Sequence, residues 1–306
     1  MEQSIIHKVD RSQSQSLELL GSKPKFWFLR DNHRWLFKAD DRGTGEDWAE
    51  VIASKLCRLL GLPHVEYHLA AEFNQSEYLR PGVICENMAE TPKILVLGNQ
   101  LLFARDPQYP RGQRFKLRQH TVEVVAEIVD RLAPPAIEWE QDFPVDVKSA
   151  LDVFAGYIML DAWIANQDRH HENWGAIWDG SALRLSPTFD HGAAMARNLT
   201  DADREARLRT KDHNRSVAIF AKRARSAFFA SPSESRSMLL DDAWQQIATI
   251  VPAAAKGWLN KLASVQDQSV ARVFDHLPTE RMSAVCKEFT LELLLSNQQR
   301  LLNLGR

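Results

Sequence analysis

The chain has 306 residues, of which 38 are Lys or Arg and 40 are Asp or Glu, so its formal net charge is −2. Its 44% of hydrophobic residues can bury a core, which excludes an intrinsically disordered chain, and the near-zero charge excludes a histone-like polycation. A chain of this length is expected to form one large domain or two lobes.

Cysteine usage and hydropathy indicate a soluble protein of a reducing compartment. Cys57, Cys85 and Cys286 are far apart and form no CxxC pair, so neither a disulfide framework nor a cysteine zinc site is expected. The polar first ten residues lack the apolar core of a signal peptide. The most apolar window, 153–165, contains Asp161 and is shorter than the about 20 residues that a membrane span needs. We therefore expect a cytoplasmic location and no membrane partner.

The first third of the chain, residues 1–88, is predicted to be a small sheet that carries one helix. Residues 1–16 are rich in Ser and Gln and are expected to be frayed. In the segment 48–62, apolar residues recur at helical spacing after a GTGED start, and Gly61 is expected to end this helix. Short apolar runs bounded by turn residues predict strands at 17–20, 26–29, 34–39, 64–73 and 78–88.

The remainder of the chain differs in character. Residues 89–120 mix Pro, Gly and charge and are interpreted as a connector, residues 166–192 are not helical, and the polar segment 197–235 is interpreted as irregular. Helical patterns predict helices at 122–133, 146–165, 241–251, 254–265 and 282–304. A strand-rich lobe over 1–88, a connector over 89–120 and a helical lobe over 121–306 make up an α+β fold in two lobes.

The most informative segment is 160–195, which holds two carboxylates and an amide. Asp168 and Asn173 form a D-x-x-x-x-N pattern, and Asp190 follows an apolar, strand-like run. Phosphoryl transfer needs a carboxylate that orients and deprotonates the attacking hydroxyl, a role that suits Asp168. It also needs oxygen ligands for the magnesium ions that bridge the nucleotide phosphates, a role that suits Asn173 and Asp190. The pattern therefore favours a kinase that uses ATP and Mg²⁺.

A lysine and a glutamate typical of kinases lie upstream. Lys38 lies in a predicted strand and Glu50 in the following helix, and such a pair positions the α and β phosphates. Glu46 is the alternative partner, but it falls in the first helical turn, where an acid complements the helix dipole without a catalytic role. The backbone amides of the turn 21–25 are expected to close over the phosphates. The residues of this turn assigned to nucleotide binding are Gly21, Ser22 and Lys23.

Taken in this order, the motifs resemble the HipA-like family of bacterial serine/threonine kinases of toxin–antitoxin modules. The match covers most of residues 17–300 and is most specific over 166–195. More distantly, D-R-H-x-x-N followed by D-H-G is similar to phosphatidylinositol kinases. The matching segments are KPKFWF at 23–28, WLFK at 35–38, AEVIASKLCRLLGLP at 49–63, NQDRHHENWG at 166–175, SPTFDHGAAM at 186–195 and HLPTERMS at 276–283.

The resemblance implies a protein-kinase-like fold with ATP between its lobes, Mg²⁺ as the metal and a protein serine or threonine as the acceptor. By position, Asp168 matches the catalytic aspartate of the family. Asn173 and Asp190 match its metal ligands. Lys38 matches the lysine that pairs with the phosphates, and Glu50 matches its helix partner.

The resemblance also implies which residues lie near the adenine and which serine of the phosphate loop is modified. The hinge that meets adenine corresponds to Glu86, Asn87 and Met88. Family members can phosphorylate a serine of their own phosphate loop and so switch themselves off. The candidate for this autophosphorylation is Ser22, and after it Ser16.

Three histidines lie beside these motifs. His170 and His171 are adjacent, but neighbouring side chains diverge and no third ligand stands at a suitable spacing, so a zinc site is not expected. We expect His170 to hold the catalytic loop through hydrogen bonds. His191 follows Asp190 and is interpreted either as orienting it or as a buried, hydrogen-bonded core residue.

The segment 197–225 is basic, with nine Lys and Arg residues against four acidic ones. A solvated polar surface is the simpler interpretation. The functional interpretation is a docking surface for the substrate, placed where kinases have their activation segment, and it predicts that loss of Arg223 and Arg225 weakens substrate phosphorylation. We expect no direct sequence-specific binding of nucleic acid.

Two other functions remain open. The chain is either a kinase of a lipid or small molecule, as the D-R-H-x-x-N similarity suggests, or a non-catalytic kinase-like module of a toxin–antitoxin complex. The resemblance implies a HipB-like antitoxin as a possible partner. The chain is shorter at its start than full-length HipA, and we expect it to lack the extra N-terminal subdomain. This expected difference weakens the case for an antitoxin partner.

Overall fold

The computed structural model describes residues 5–18, 24–139 and 142–305 of the chain. The predicted phosphate-loop residues Gly21, Ser22 and Lys23 lie outside the described residues. Strands dominate the N-terminal part and helices the C-terminal part. The predicted α+β class is therefore confirmed.

A mixed sheet of six strands forms the N-terminal part. Its strands are β1 (His7–Asp10), β2 (Ser16–Leu17), β3 (Lys25–Arg30), β4 (His33–Ala39), β5 (His68–Asn74) and β6 (Glu77–Glu86). Their order in space is β1-β5-β6-β4-β3-β2, and β1 runs parallel to β5 whereas the other neighbours are antiparallel. Asp31 and Asn32 form the turn between β3 and β4 with φ of 52° and 65°, which suits the right-handed twist of a two-residue hairpin.

Two expectations for this sheet are wrong. The start of the chain is not frayed over its described residues, because β1 pairs with β5 and Val9 is buried in an apolar cluster with Phe26 and Phe37. The predicted strand 64–73 begins only at His68, because the backbone N–H of Val65 donates instead to the carbonyl of Thr188 (3.0 Å). This contact brings the start of the segment to the helical part of the molecule.

Helix α1 (Glu46–Leu60) packs against β5 and β6. It ends as predicted at Gly61, whose φ of 70° is the left-handed conformation that glycine adopts without strain. Helix α1 contacts both the sheet and the C-terminal helices. As a result, even its acidic first-turn residues Glu46 and Asp47 are buried. Buried acids at this position need cationic partners, and both have one.

The C-terminal part combines a second sheet with a set of helices. The sheet is antiparallel, in the order β7 (Ile94–Leu97), β8 (Gly175–Trp178) and β9 (Leu183–Leu185). The helices are α2 (Gly98–Arg105), α3 (Val122–Val129), α4 (Ala150–Ile164), α5 (Asp201–Leu208), α6 (Val217–Lys222), α7 (Leu240–Ile250), α8 (Pro252–Ser264), α9 (Asp267–Arg272) and α10 (Ala284–Leu304).

Several of these elements differ from the sequence-based prediction. The connector carries β7 and α2, and the segment 197–235 is not irregular, because it holds α5 and α6. Both helices are short and one is strongly polar, so the apolar repeat that marks a helix is weak there. Helices α4 and α10 begin later than predicted, because Ser149 and Ser283 accept hydrogen bonds from first-turn amides and cap them.

Helix α4 forms the centre of the helical part. It packs against α3, α7, α8 and α10, and nearly all of its side chains are buried, as expected for a helix that is apolar around its whole circumference. Asp161 is the charged exception on its last turns and is also buried. A carboxylate in such surroundings needs a strong partner, which comes from the loop described below. No helix in the described part of the chain is long and apolar enough to cross a bilayer.

A buried ion pair joins the two parts of the molecule. Arg281, in the segment HLPTERMS, donates from Nη1 to Asp47 at the start of α1 (2.6 Å) and from Nη2 to the carbonyl of Ala70 in β5 (2.9 Å). Burial raises the pKa of Asp47 to about 6, although Arg281 opposes this rise. The segment thus fastens the C-terminal helices to the sheet.

We expect Arg281→Met to destabilise the protein by about 3–5 kcal/mol, because it leaves the Asp47 carboxylate buried without its cation. Urea unfolding followed by circular dichroism measures this loss. The pKa of Asp47 in the folded protein lies above its ordinary value and rises further without Arg281. The folded variant then keeps a proton that the unfolded state has lost, so the loss of stability is largest at pH 8 and shrinks as the pH falls toward about 6, the pKa of Asp47 in the folded wild type.

The matched control is Arg58→Met. Arg58 also pairs with an acid, Glu66 (2.6 Å), but both side chains are about half exposed. An exposed pair contributes no more than about 1 kcal/mol. Equal losses of stability in the two variants would show that the buried pair of Arg281 and Asp47 does not hold the sheet and the C-terminal helices together.

Candidate active site

A cavity of about 660 Å³ lies between the six-stranded sheet and the helical part, and we call it the main cleft. Strands β3 and β4, the segment 85–89 after them, β7 and the segments 172–173 and 189–190 line it. The sequence-predicted residues that line it are Ser16, Lys38, Glu86, Asn87, Met88, Asn173 and Asp190. Residues far apart in the chain thus meet around one space large enough for a small-molecule ligand.

Lys38 stands at the centre of an ionic cluster in the main cleft. Its ammonium nitrogen lies 2.5 Å from Oε1 of Glu50 and 2.9 Å from Oδ1 of Asp190. Burial lowers the pKa of Lys38, but the carboxylates of Asp190 and Glu50 raise it, and the net pKa is well above the ordinary value. Lys38 therefore remains a cation while buried between two carboxylates.

The structure distinguishes the two glutamates proposed for Lys38. Glu50 contacts Lys38 directly, and burial raises its pKa. Glu46 instead pairs with Arg197 (2.5 Å), which also donates a hydrogen bond to Thr44. The preference for Glu50 rested on its position one turn into the helix, and the geometry agrees with that preference.

Asp190 is held in an unusual backbone conformation. Its φ of 59° lies in the left-handed region, which few residues other than glycine adopt and which persists only when the surroundings hold it. Its backbone N–H donates to the hydroxyl of Tyr67 (3.3 Å), and the next N–H, of His191, donates to Oε2 of Glu50 (2.8 Å). Tyr67, which the sequence analysis did not single out, thus helps to place the carboxylate beside Lys38.

Asn173 is oriented by its own loop. Its amide Nδ2 donates to the carbonyl of Asp168 (2.7 Å), which leaves Oδ1 for a ligand in the main cleft. Asn173 and Asp190 offer an amide oxygen and a carboxylate, a set that fits Mg²⁺ when phosphates and water complete its shell. In the described ranges, no group of three or more His, Cys, Asp or Glu residues is arranged to hold a metal by itself. The donor set therefore suits a metal shared with a phosphate ligand.

Asp168 lies on the other side of the loop, in a second cavity of about 380 Å³ that we call the Asp168 cavity. Its side chain is one-third exposed, and its backbone N–H donates to Oδ1 of Asn166 (3.2 Å). The Asp168 cavity is also lined by Phe115, Leu117 and Phe229. Asp168 thus presents a partly exposed carboxylate to a cavity that Lys38 does not line.

His170 is buried beside Asp168. Its Nε2 lies 3.6 Å from Oδ1 of Asp168 and 2.9 Å from Nε of Arg114, and its Nδ1 lies 3.1 Å from the backbone nitrogen of Glu172. Burial and the guanidinium of Arg114 lower the pKa of His170 to about 3. The ring is therefore neutral and held by these contacts, as expected for a structural histidine.

His171 has a different partner from His170, because its Nδ1 lies 3.0 Å from the hydroxyl of Tyr109.

A buried arginine, to which the sequence analysis assigned no role, fixes this loop. Arg169 pairs through Nε and Nη2 with both oxygens of Asp161 in α4 (2.7 Å each), and its Nη1 donates to the carbonyl of Asn173 (3.0 Å). Bidentate pairs of this kind are strong and directional. The sequence signal was Asp161, a charge in the apolar window 153–165. His191 is the buried, hydrogen-bonded residue of the second interpretation, since its Nε2 lies 2.8 Å from the hydroxyl of Thr188.

The predicted hinge lies at the far end of the main cleft. Glu86 ends β6, and the backbone N–H of Asn87 donates to the carbonyl of Arg34 (2.9 Å). Met88 lines the same end. Ser16 is exposed in β2, and its hydroxyl accepts a hydrogen bond from Nη2 of Arg34 (2.9 Å). The other autophosphorylation candidate, Ser22, lies outside the described residues.

The basic segment 197–225 is less uniformly charged at its surface than its composition indicates. Arg197 and Arg209 pair with Glu46 and Glu288, and Arg225 donates to the carbonyl of Ser237. Two further members are engaged inside the segment, Arg204 with Asp201 and Arg207 over the ring of Phe220. A docking surface that uses the whole segment is therefore not supported, whereas Arg223 is exposed.

No protein-family model and no curated protein sequence matches the chain. Among solved structures, the chain is similar to the proinflammatory kinase CtkA of Helicobacter pylori, with a TM-score of 0.69 and 16% identity over 97% of this chain and 96% of that one. It is also similar to HipA in the Shewanella oneidensis MR-1 complex of HipA, HipB and operator DNA, with a TM-score of 0.57 and 11% identity over 95% of this chain and 67% of that one. The chain thus has the fold of HipA-like kinases, and the fold expected from the sequence resemblance is confirmed.

Proposed function

We propose that the protein is an ATP- and Mg²⁺-dependent kinase that transfers the γ-phosphoryl group to a serine or threonine of a protein. The observation that carries this proposal is the arrangement of two cavities around one loop. The main cleft holds Lys38, Asn173 and Asp190, and the Asp168 cavity holds a carboxylate suited to a general base. The kinase-like fold supports the same assignment.

In the proposed reaction, each side chain has a separate task. Lys38, kept charged by Glu50, holds the α and β phosphates in the main cleft. Asn173 and Asp190 would hold Mg²⁺, which supplies charge neutralisation and orientation of the phosphates. The hydroxyl oxygen of the acceptor forms a bond to the γ-phosphorus as the bond from that phosphorus to the β-phosphate oxygen breaks. Asp168 takes the hydroxyl proton, and ADP leaves.

The class of acceptor is tested by offering three kinds to the purified protein with labelled ATP and Mg²⁺. These are a protein extract, phosphoinositide vesicles and a mixture of small hydroxyl compounds. We expect label on protein serine or threonine, located by mass spectrometry, including Ser22 or Ser16 if the protein phosphorylates itself. Label only on lipid or small molecules would move the proposal to the other kinase classes, and binding of ATP without any transfer would support the non-catalytic module.

The fold likeness to a HipA that was solved with HipB and operator DNA also motivates a partner. We propose a small DNA-binding antitoxin of the HipB type, acting with the protein in the cytoplasm. Co-expression with the product of a neighbouring gene, followed by size-exclusion chromatography, tests this proposal. Separate elution of the two proteins would contradict it without affecting the kinase proposal.

Arg223 provides a narrower test of substrate docking. Arg223 is exposed and precedes by three residues Ser226, which lines the Asp168 cavity. We therefore expect Arg223→Gln to raise KM for a protein substrate about two- to five-fold, the effect of a solvated charge pair. The KM for ATP should not change. Arg209→Gln is the control, since Arg209 pairs with Glu288 away from the cavity. Steady-state kinetics with the substrate identified above would show no difference between the variants if the segment is only a solvated surface.

A further inference from the structure

We propose that Arg114 binds the γ-phosphoryl group during transfer and stabilises the charge of the transition state. This inference rests on the proposed function and adds a residue that none of the sequence motifs contains. Arg114 lines both the main cleft and the Asp168 cavity, and the two cavities share no other described residue. A phosphoryl group that passes from nucleotide to acceptor must cross the boundary that this side chain occupies.

The contacts of Arg114 place it one side chain away from the proposed base. Its Nε donates a hydrogen bond to Nε2 of His170 (2.9 Å) and lies 3.4 Å from Oε2 of Glu172. The same His170 nitrogen lies 3.6 Å from Oδ1 of Asp168. The guanidinium is therefore anchored through Nε, beside the carboxylate that would receive the hydroxyl proton.

The anchoring leaves the other end of the guanidinium available. Within residues 5–18, 24–139 and 142–305, the terminal nitrogens Nη1 and Nη2 of Arg114 make no hydrogen bond. Its side chain is 27% exposed, so the charge is reached from the cavities without being fully solvated. A guanidinium presents its terminal N–H groups in a planar fork that matches two oxygens of one phosphoryl group.

The other cations that line the main cleft have different environments. The ammonium groups of Lys38 and Lys25 lie 2.9 Å and 3.9 Å from the carboxylate of Asp190, Arg34 donates to Ser16, and none of the three lines the Asp168 cavity. In phosphoryl transfer, negative charge is spread over the oxygens of the transferring group, and an arginine placed there can accelerate transfer strongly. Among the described residues, Arg114 is the cation that lines both cavities, and this position suits it to supply that stabilisation.

His170 also acquires a role from this geometry. His170 is buried, and its Nε2 lies 2.9 Å from Nε of Arg114, where the tautomer with the proton on Nδ1 accepts the hydrogen bond from the guanidinium. His170 is then a positioning residue for the guanidinium rather than an acid or base in the reaction.

The test compares Arg114→Ala and Arg114→Lys with Arg105→Gln. Arg105 pairs at the surface with Glu127, so its loss removes the same unit of charge outside both cavities. In single-turnover reactions with labelled Mg-ATP, we expect Arg114→Ala to slow transfer by about 10²–10³-fold. The affinity for Mg-ATP should change less than three-fold, and Arg105→Gln should react like the wild type. Added guanidinium ion should restore part of the rate of Arg114→Ala and none of that of Asp168→Asn.

A binding experiment keeps the inference separate from the acceptor. Calorimetry with Mg-ADP and aluminium fluoride, which occupies the γ position, should show at least about ten-fold weaker binding to Arg114→Ala than to the wild type, because the charged fork is absent. Binding of Mg-ADP alone should be equal. Equal binding in both cases, or parallel loss of Mg-ADP binding and thermal stability, would overturn the inference. If no acceptor is found for the wild type, the proposed function fails while this measurement still decides the role of Arg114.

Discussion

Asp168→Asn is expected to lower kcat for phosphoryl transfer by about 10²–10⁴-fold, the usual contribution of a positioned general base. The affinity for Mg-ATP should remain that of the wild type. The reason is spatial, because Asp168 lines the Asp168 cavity, whereas the cluster of Lys38 and Asp190 lies in the main cleft. Asparagine keeps the size of the side chain and removes only the carboxylate that accepts the proton.

Two measurements establish this result. Single-turnover transfer from labelled ATP reports the chemical step, and calorimetry with a non-hydrolysable ATP analogue reports nucleotide binding. Asp267→Asn is the control, since Asp267 is an exposed acid in the first turn of α9 and the chemical change is the same. Transfer by Asp168→Asn within ten-fold of the wild-type rate would remove Asp168 from the role of base.

Lys38→Met is expected to lower the activity through a different interaction, the contact with the phosphates of ATP. We expect kcat/KM for ATP to fall by about 10²–10³-fold, because a preorganised charge on the phosphates is lost. The protein should also be less stable by about 3–5 kcal/mol, since the buried Glu50 then loses its cationic partner and Asp190 loses the cation 2.9 Å away, although Lys25 remains 3.9 Å from Asp190. Steady-state kinetics and urea unfolding measure the two losses separately.

The double variant Lys38→Met/Glu50→Gln separates catalysis from stability. Removal of the buried carboxylate should restore much of the free energy of unfolding and none of the activity. The loss of stability in Lys38→Met should also depend on pH, because burial raises the pKa of Glu50 and the loss of Lys38 raises this pKa further. The folded protein then holds a proton that the unfolded chain releases, so the loss of stability is greatest at pH 8 and smaller near pH 5. A loss that is independent of pH would show that Glu50 is not the group left uncompensated.

Some residues of the candidate site could be singled out because they lie close together in the sequence. Asp168 and Asn173 lie in one loop, and the hydrogen bond from Asn173 to the carbonyl of Asp168 links the two positions of the pattern. Glu50 could be preferred over Glu46 from helical periodicity, since only one of them lies a full turn inside α1. Periodicity and spacing describe geometry within a loop or a few helical turns. The contact of Asn173 with Asp168 and the position of Glu50 in α1 depend on geometry of this kind.

The features that escaped prediction depend on distant contacts. Arg114 lies in a connector without periodicity, and its importance follows only from its position between two cavities. Tyr67 belongs to a segment predicted as strand, yet it turns to support Asp190 because the chain there bonds to Thr188. Strand β1 looked too polar to be ordered, but pairing with β5 satisfies its backbone and buries Val9.

The sequence by itself determined the α+β class, the helix that ends at Gly61 and the set of side chains suited to phosphoryl transfer. Those properties follow from propensity, periodicity and side-chain chemistry, which act within a few turns or strands. Only the tertiary structure decided that Lys38 lies between Glu50 and Asp190, that Glu46 pairs with Arg197, and that Arg169 ties the loop 166–175 to α4. Buried charges select their partners by distance in space, and that distance is set when the sheet and the helices pack together.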